Sequence, residues 1–100
     1  MLINTNVSKD GSVLTIGIQG RFDISSHQTF LNAYENVGQS VLTYDIDMRE
    51  TSYLDSSALG MLLSLRDYAG KSSTIKILNC NDNIRKVLSI TNFEKLFDMQ

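Results

Sequence analysis

Leu54-Asp55-Ser56-Ser57-Ala58-Leu59-Gly60-Met61-Leu62-Leu63 lies just past the midpoint of the 100-residue chain and marks an abrupt change of texture. Small polar residues stop, an apolar run begins, and Asp55 or Ser56 is the natural N-cap of the helix that follows. Two hydroxyls, Ser56 and Ser57, therefore sit at the positive end of a helix, where free N–H groups and the macrodipole favour negative charge. Such a turn can bind a phosphate or acquire one. Its plainest reading is a helix start and nothing more, since Asp and Ser are common caps, so the flanking sequence has to decide.

Upstream, residues 2–7 and 13–19 are β-like runs around Ser8-Lys9-Asp10-Gly11-Ser12, and Asp-Gly is a strong hairpin signal. Leu14, Ile16 and Ile18 share one face of the second run, as in a strand buried on one side. Gly20-Arg21-Phe22-Asp23 reads as a connection, and Ser25 with Gln28 fits a capping box. Phe30, Ala33, Tyr34 and Val37 then recur at helical spacing, predicting a helix over 26–37 with Gly38 as its stop. Residues 41–48 alternate as a third strand, with Leu42, Tyr44, Ile46 and Met48 inward and Thr43, Asp45 and Asp47 on a wet face. The two carboxylates share that face through strand alternation, and solvated strand charges are the simplest account of them.

Downstream of the turn, Leu59, Leu62, Leu63, Leu65 and Ala69 form a broad apolar arc, with Gly60, Ser64, Asp67 and Lys71 as the polar stripe. Gly70 ends the helix. Met61 and Tyr68 project with Ser57 and Ser64, away from the arc. Residues 73–80 make a fourth strand, which a strand-helix-strand unit of this size places parallel to the third. Asn81 caps a third helix with Ile84, Val87, Leu88 and Thr91 inward and Asn92 as its stop. Residues 93–99 add a short edge strand. The order is β-β-α-β-α-β-α-(β): an α/β domain spanning 1–100, with a mixed sheet of four to five strands and three helices.

Composition narrows the function. A 42% hydrophobic, 20% charged chain has the balance of a folded domain. A net charge of -2 with no basic cluster longer than Arg85-Lys86 argues against nucleic acid as a partner. No signal-peptide pattern opens the chain and no run approaches the ~18 apolar residues of a membrane span, so a cytoplasmic protein without membrane insertion is expected. Cys80, the single cysteine, reads as a small apolar packing residue. His27, the single histidine, sits at the polar start of a helix, with no nucleophile elbow to serve. No zinc ligand set, phosphate-binding glycine loop or dinucleotide fingerprint is present. No catalytic residue, metal or cofactor is expected.

In this context Asp55-Ser56-Ser57-Ala58-Leu59-Gly60 resembles the Asp-Ser-Ser-Gly-Leu-Gly signature of anti-sigma-factor antagonists, members of the STAS domain family (sulfate transporter and anti-sigma antagonist). Gly20-Arg21-Phe22-Asp23 is similar to that family's Gly-Glu-Leu-Asp, and the likeness runs nearly the full length. It implies a STAS-like fold and a non-enzymatic bacterial regulator of the partner-switching kind. By this resemblance Ser56 is the phosphorylation site and Ser57 the weaker candidate. A serine kinase of the anti-sigma-factor type, which carries the ATP, adds the phosphate, and a PP2C-like phosphatase removes it. Asp23, Asp55, Ser57, Ala58 and Met61 are the implied partner-binding residues. Ala58 stands where the family usually has Gly, and Asp45 where it usually has an apolar residue. No counterpart of the terminal helix of many members is expected after the last strand. The alternative is a constitutive STAS subunit of a lipid-transport ABC complex, in which the same turn packs on an ATPase without a phosphate.

Overall fold

The Asp-Gly turn is built as its sequence predicts. In a computed structural model, which describes residues 2–37 and 40–100, the Asp10 carboxylate accepts hydrogen bonds from the Ser12 amide (3.0 Å) and the Ser8 and Ser12 hydroxyls (2.9 and 2.7 Å), while Gly11 takes φ 78°. These bonds close an antiparallel hairpin of β1 (Leu2–Val7) and β2 (Val13–Phe22). Strand β2 is longer than expected. Gly20–Phe22, read as a connection, continues the strand because it pairs in parallel with β4 (Thr51–Leu54), after a register shift at Gly20.

Strand β4 is absent from the sequence reading. The sheet has six strands in the order β1-β2-β3-β5-β6, with β4 paired to the far half of β2. β3 (Thr43–Asp47), β5 (Thr74–Leu78) and β6 (Asp98–Met99) run parallel to β2 and to one another. The strand–helix–strand unit is thus parallel as predicted, and residues 93–99 divide into a 3₁₀ turn at Phe93–Lys95 and the two-residue β6.

The helices are α1 (His27–Glu35), α2 (Ser56–Ala69) and α3 (Asp82–Ile90). Asp23, rather than Ser25, provides the capping box before α1, paired with Ser26 around the 3₁₀ turn Ile24–Ser26. Gln28 instead reaches Asn32 within the helix at 3.0 Å. Helix α1 ends at Glu35, and the predicted stop Gly38 lies outside the described residues. Asn81 caps α3 through Ile84, and Asn92 ends it at φ 64°. Thr91 is exposed rather than inward, since its hydroxyl turns back to the Val87 carbonyl at 2.8 Å.

Leu14, Ile16, Ile18, Tyr44, Ile46, Ile75 and Ile77 supply the sheet side of the core, and Phe30, Leu62, Leu65, Ile84 and Leu88 the helix side. Leu42 departs from its predicted inward place and is 58% exposed, because β3 begins only at Thr43 and the preceding Val41 takes the buried position. On the opposite sheet face Asp45 and Asp47 are half-buried rather than freely solvated. Asp47 accepts from the Arg49 amide (3.0 Å) and the Asn79 side chain (3.1 Å), tying the turn after β3 to the end of β5. One oxygen of Asp45 is shielded without a hydrogen-bond partner among the described residues.

Candidate functional site

Parallel pairing of β2 and β4 sets the site. Arg21 faces Tyr53 and Phe22 faces Leu54 in the ladder. Phe22 and Leu54 point into the core, so Arg21 and Tyr53 point outward. The Arg21 guanidinium carbon stands 3.9 Å from the centre of the Tyr53 ring, a cation–π contact worth about 0.5–1 kcal/mol at an exposed site. One residue further, Asp23 and Asp55 leave the sheet, and each becomes an N-cap.

Asp55 caps α2 with an extended backbone, its side chain accepting from the Ala58 amide at 3.1 Å. Ser56 is then the first helical residue, and it is exposed, whereas Ser57 is half-buried. Asp23 accepts from the Ser25 hydroxyl (2.6 Å) and amide (3.1 Å), and Arg21 lies 3.4 Å from its other oxygen. The Ser25 hydroxyl above all, with Arg21 beside it, holds the Asp23 carboxyl below its ordinary range. An anionic Asp23 therefore stands next to the turn that carries Ser56.

Two expected contact residues are elsewhere. Ala58 is fully buried and Met61 is 5% exposed, so neither offers a side chain to a partner. The expectation that Met61 faces away from the core rests on a helix with one buried side, but α1 packs along the second side of α2. His27, Phe30, Leu31 and Tyr34 of α1 line a cleft with Met61 and Ser64. Tyr68, also expected outward, is 45% exposed as expected, with one side of its ring against Tyr34, ring centres 5.0 Å apart. Burial, with Glu35 and Tyr68 nearby, pushes the Tyr34 hydroxyl up. Leu63, read as part of the apolar arc, is exposed.

Exposed residues on the elements that meet at the turn are instead Ser52 and Tyr53 of β4, Gly60 one helical turn past Ser56, and Ile24, 68% exposed, after the cap Asp23. Ile24 and the Arg21–Tyr53 stack were not among the candidates read from sequence; the outward positions of β2 and β4 flanking the two aspartates were the available signal. A cleft of about 500 Å³ lies between the far end of α2 and the β5–β6 edge, and one of about 400 Å³ on the open sheet face beside Gly17. Neither is lined by residues of the Ser56 turn. No cluster of three metal-ligating side chains occurs among the described residues. Cys80 is half-buried, and burial pushes its thiol up. His27 is exposed, and among the described residues no helix is long and apolar enough to cross a membrane.

The β2–β4 pair thus delivers two capping aspartates to one end of a mixed sheet, with a serine opening the second helix. The family model described as "Mlab, STAS domain" matches residues 5–98, and the chain belongs to the STAS domain family. It is 53% identical over 98 residues to a STAS-domain containing protein of Pseudomonas aeruginosa (strain UCBPP-PA14), covering 97% of each chain. Its fold is similar to that of an anti-sigma factor antagonist from Mycobacterium paratuberculosis (TM-score 0.77, 20% identity, 98% of this chain and 85% of that one). SpoIIAA, an anti-sigma factor antagonist, shares the fold in its unphosphorylated form (TM-score 0.70, 17% identity, 99% and 87% coverage). The phosphorylated form of SpoIIAA from Bacillus is also similar (TM-score 0.60, 18% identity, 99% and 91% coverage).

Proposed function

We propose that this chain is a non-enzymatic antagonist in a bacterial partner-switching pathway, binding an anti-sigma-factor-type serine kinase in the cytoplasm and released when Ser56 is phosphorylated. The observation that carries the reading is the exposed Ser56 at the first position of α2, directly after the cap Asp55, with the cap Asp23 following the paired strand β2. SpoIIAA, which shares the fold, exists in both phosphorylated and unphosphorylated forms. A PP2C-like phosphatase resets the serine, and Ser57, half-buried, is the poorer acceptor.

The physics of the turn suits a switch that does not unfold. A phosphoserine carries about -1.5 to -2 charges at neutral pH, and at a helix start such charge is favourable by roughly 0.3–1 kcal/mol. The same charge beside Asp55 and Asp23 repels an acidic or apolar partner patch. Phosphorylation thus changes what docks and leaves the fold in place.

Incubation with the cognate kinase and ATP, followed by mass spectrometry, tests the reading: phosphate is expected on Ser56. An active kinase that leaves both Ser56 and Ser57 unmodified refutes it. Ser56→Asp is expected to weaken kinase binding and Ser56→Ala to retain it. Stable co-purification with a transporter ATPase, unchanged in Ser56→Asp, would identify a constitutive subunit instead.

A further inference from the structure

Among the described residues, strand β1 leaves one side of its backbone without a strand partner. It forms the edge of the sheet beyond β2, and of Leu2–Val7 all but Ile3 are exposed. Edge strands are ordinarily guarded by charge, proline, a bulge or shortness, because bare N–H and C=O groups are a template for another strand. The opposite edge obeys this: β6 has two residues and begins with Asp98. β1 has none of these guards. Its sequence, Leu-Ile-Asn-Thr-Asn-Val, is uncharged and free of proline, and it pairs with β2 without interruption from Leu2↔Gln19 to Val7↔Leu14.

We infer that β1 is a homodimerisation edge, at which a second copy of this chain adds antiparallel and joins the two sheets about a twofold axis through Thr5. Symmetry restricts the register, because opposed residues in one antiparallel sheet point to the same face. A centre at Thr5 places Ile3 of each copy opposite Val7 of the other on the helix side, and Asn4 opposite Asn6 on the open side. Ile3 already packs against the core and Val7 is 43% exposed, so the pairing extends the apolar layer across the axis. A centre at Asn4 would instead set Leu2 against Asn6 and Ile3 against Thr5, apolar against polar. With no charge in β1, self-pairing brings no like charges together. Both copies consume the same edge, and the two-residue β6 offers no second template, so assembly closes at two.

Sedimentation equilibrium of the full chain across the micromolar range tests this, with a mass moving from one chain to two as concentration rises. Thr5 is exposed, so Thr5→Lys should keep the fold, as circular dichroism verifies, and weaken association by about tenfold or more by opposing two ammonium groups. In a Cys80→Ser background, Thr5→Cys should cross-link to itself under an added oxidant, since opposed Cα atoms lie about 4.5–5.5 Å apart. Asn4→Cys, diagonal to its own copy at about 7–8 Å, should not. A chain that stays monomeric at hundreds of micromolar, a dimer indifferent to Thr5→Lys, assemblies larger than two, or faster cross-linking through position 4 overturns the proposal. None of these readouts depends on Ser56 or its kinase.

Discussion

Phe22 and Leu54 stand opposite each other in the β2–β4 ladder, and the aspartate after each one turns out of the sheet to cap a helical segment. Asp55 caps the longer of the two, so its loss is felt more. Asp55→Ala should cost about 1 kcal/mol of stability in urea unfolding, within the usual 0.5–2 for a lost N-cap. Asp55→Asn keeps an acceptor for the Ala58 amide and should retain most of that.

Gly60 lies inside α2 on its exposed side, and a Cβ built there meets nothing within 4 Å. No packing constraint therefore requires glycine. Gly60→Ala should raise stability by about 0.5–1 kcal/mol through backbone entropy. On the proposed function the same methyl stands in the approach of the kinase, and calorimetry should show weaker binding by a protein that is more stable.

Asn81 works at both ends of its amide. Its oxygen accepts from the Ile84 amide at 2.9 Å, while its nitrogen donates to the Thr51 carbonyl at 2.8 Å, fastening α3 to β4. Asn81→Asp preserves the cap and removes the donor. Urea unfolding should show a loss of about 1 kcal/mol for Asp and a larger one for Ala, which removes both bonds.

The hairpin predicts the acid limb of stability. The Ser12 amide, chiefly, with the Ser12 and Ser8 hydroxyls, lowers the Asp10 carboxyl from 3.8 to about 2. A carboxyl depressed by folding stabilises the native state above its unfolded value, and that contribution disappears as pH falls through the folded one. Asp10 thus contributes a loss between roughly pH 4 and pH 2, and Asp23, lowered by Ser25, acts in the same direction. Asp10→Asn should flatten the urea midpoint against pH over that window.

The features legible in the sequence are those whose cause is local. The Asp10-Gly11 hairpin and the Asp55 and Asn81 caps each depend on a side chain bonding its own neighbourhood, and the Asn92 stop on a residue type that tolerates the left-handed backbone. Strand β4 was not legible: Thr51 and Leu54 are buried and Ser52 and Tyr53 exposed, a pattern without period-two alternation. Thr51 is held by a 2.7 Å bond from its hydroxyl to the Ile18 carbonyl, 33 residues away, which no local rule anticipates. Missing β4 hid the partnership of Arg21 with Tyr53 and made β2 too short. Met61 was misplaced for a related reason. An amphipathic pattern reveals how apolar a helix is but not that a second helix covers its other side. Ser56, by contrast, stands exposed on α2's first turn, where the motif put it.

The burial of α2 on two sides has an evolutionary consequence. Leu62 and Leu65 are fully buried, and Met61 is nearly so beneath α1, so the helix is locked independently of its exposed residues Ser56 and Gly60. Substitutions at Ser52, Tyr53, Ile24 and Gly60 can therefore accumulate at little cost to folding. On the proposed function, duplicated copies of such a gene could diverge in whom they recognise while inheriting the same scaffold, so that a cell could run several insulated switches from one ancestral design.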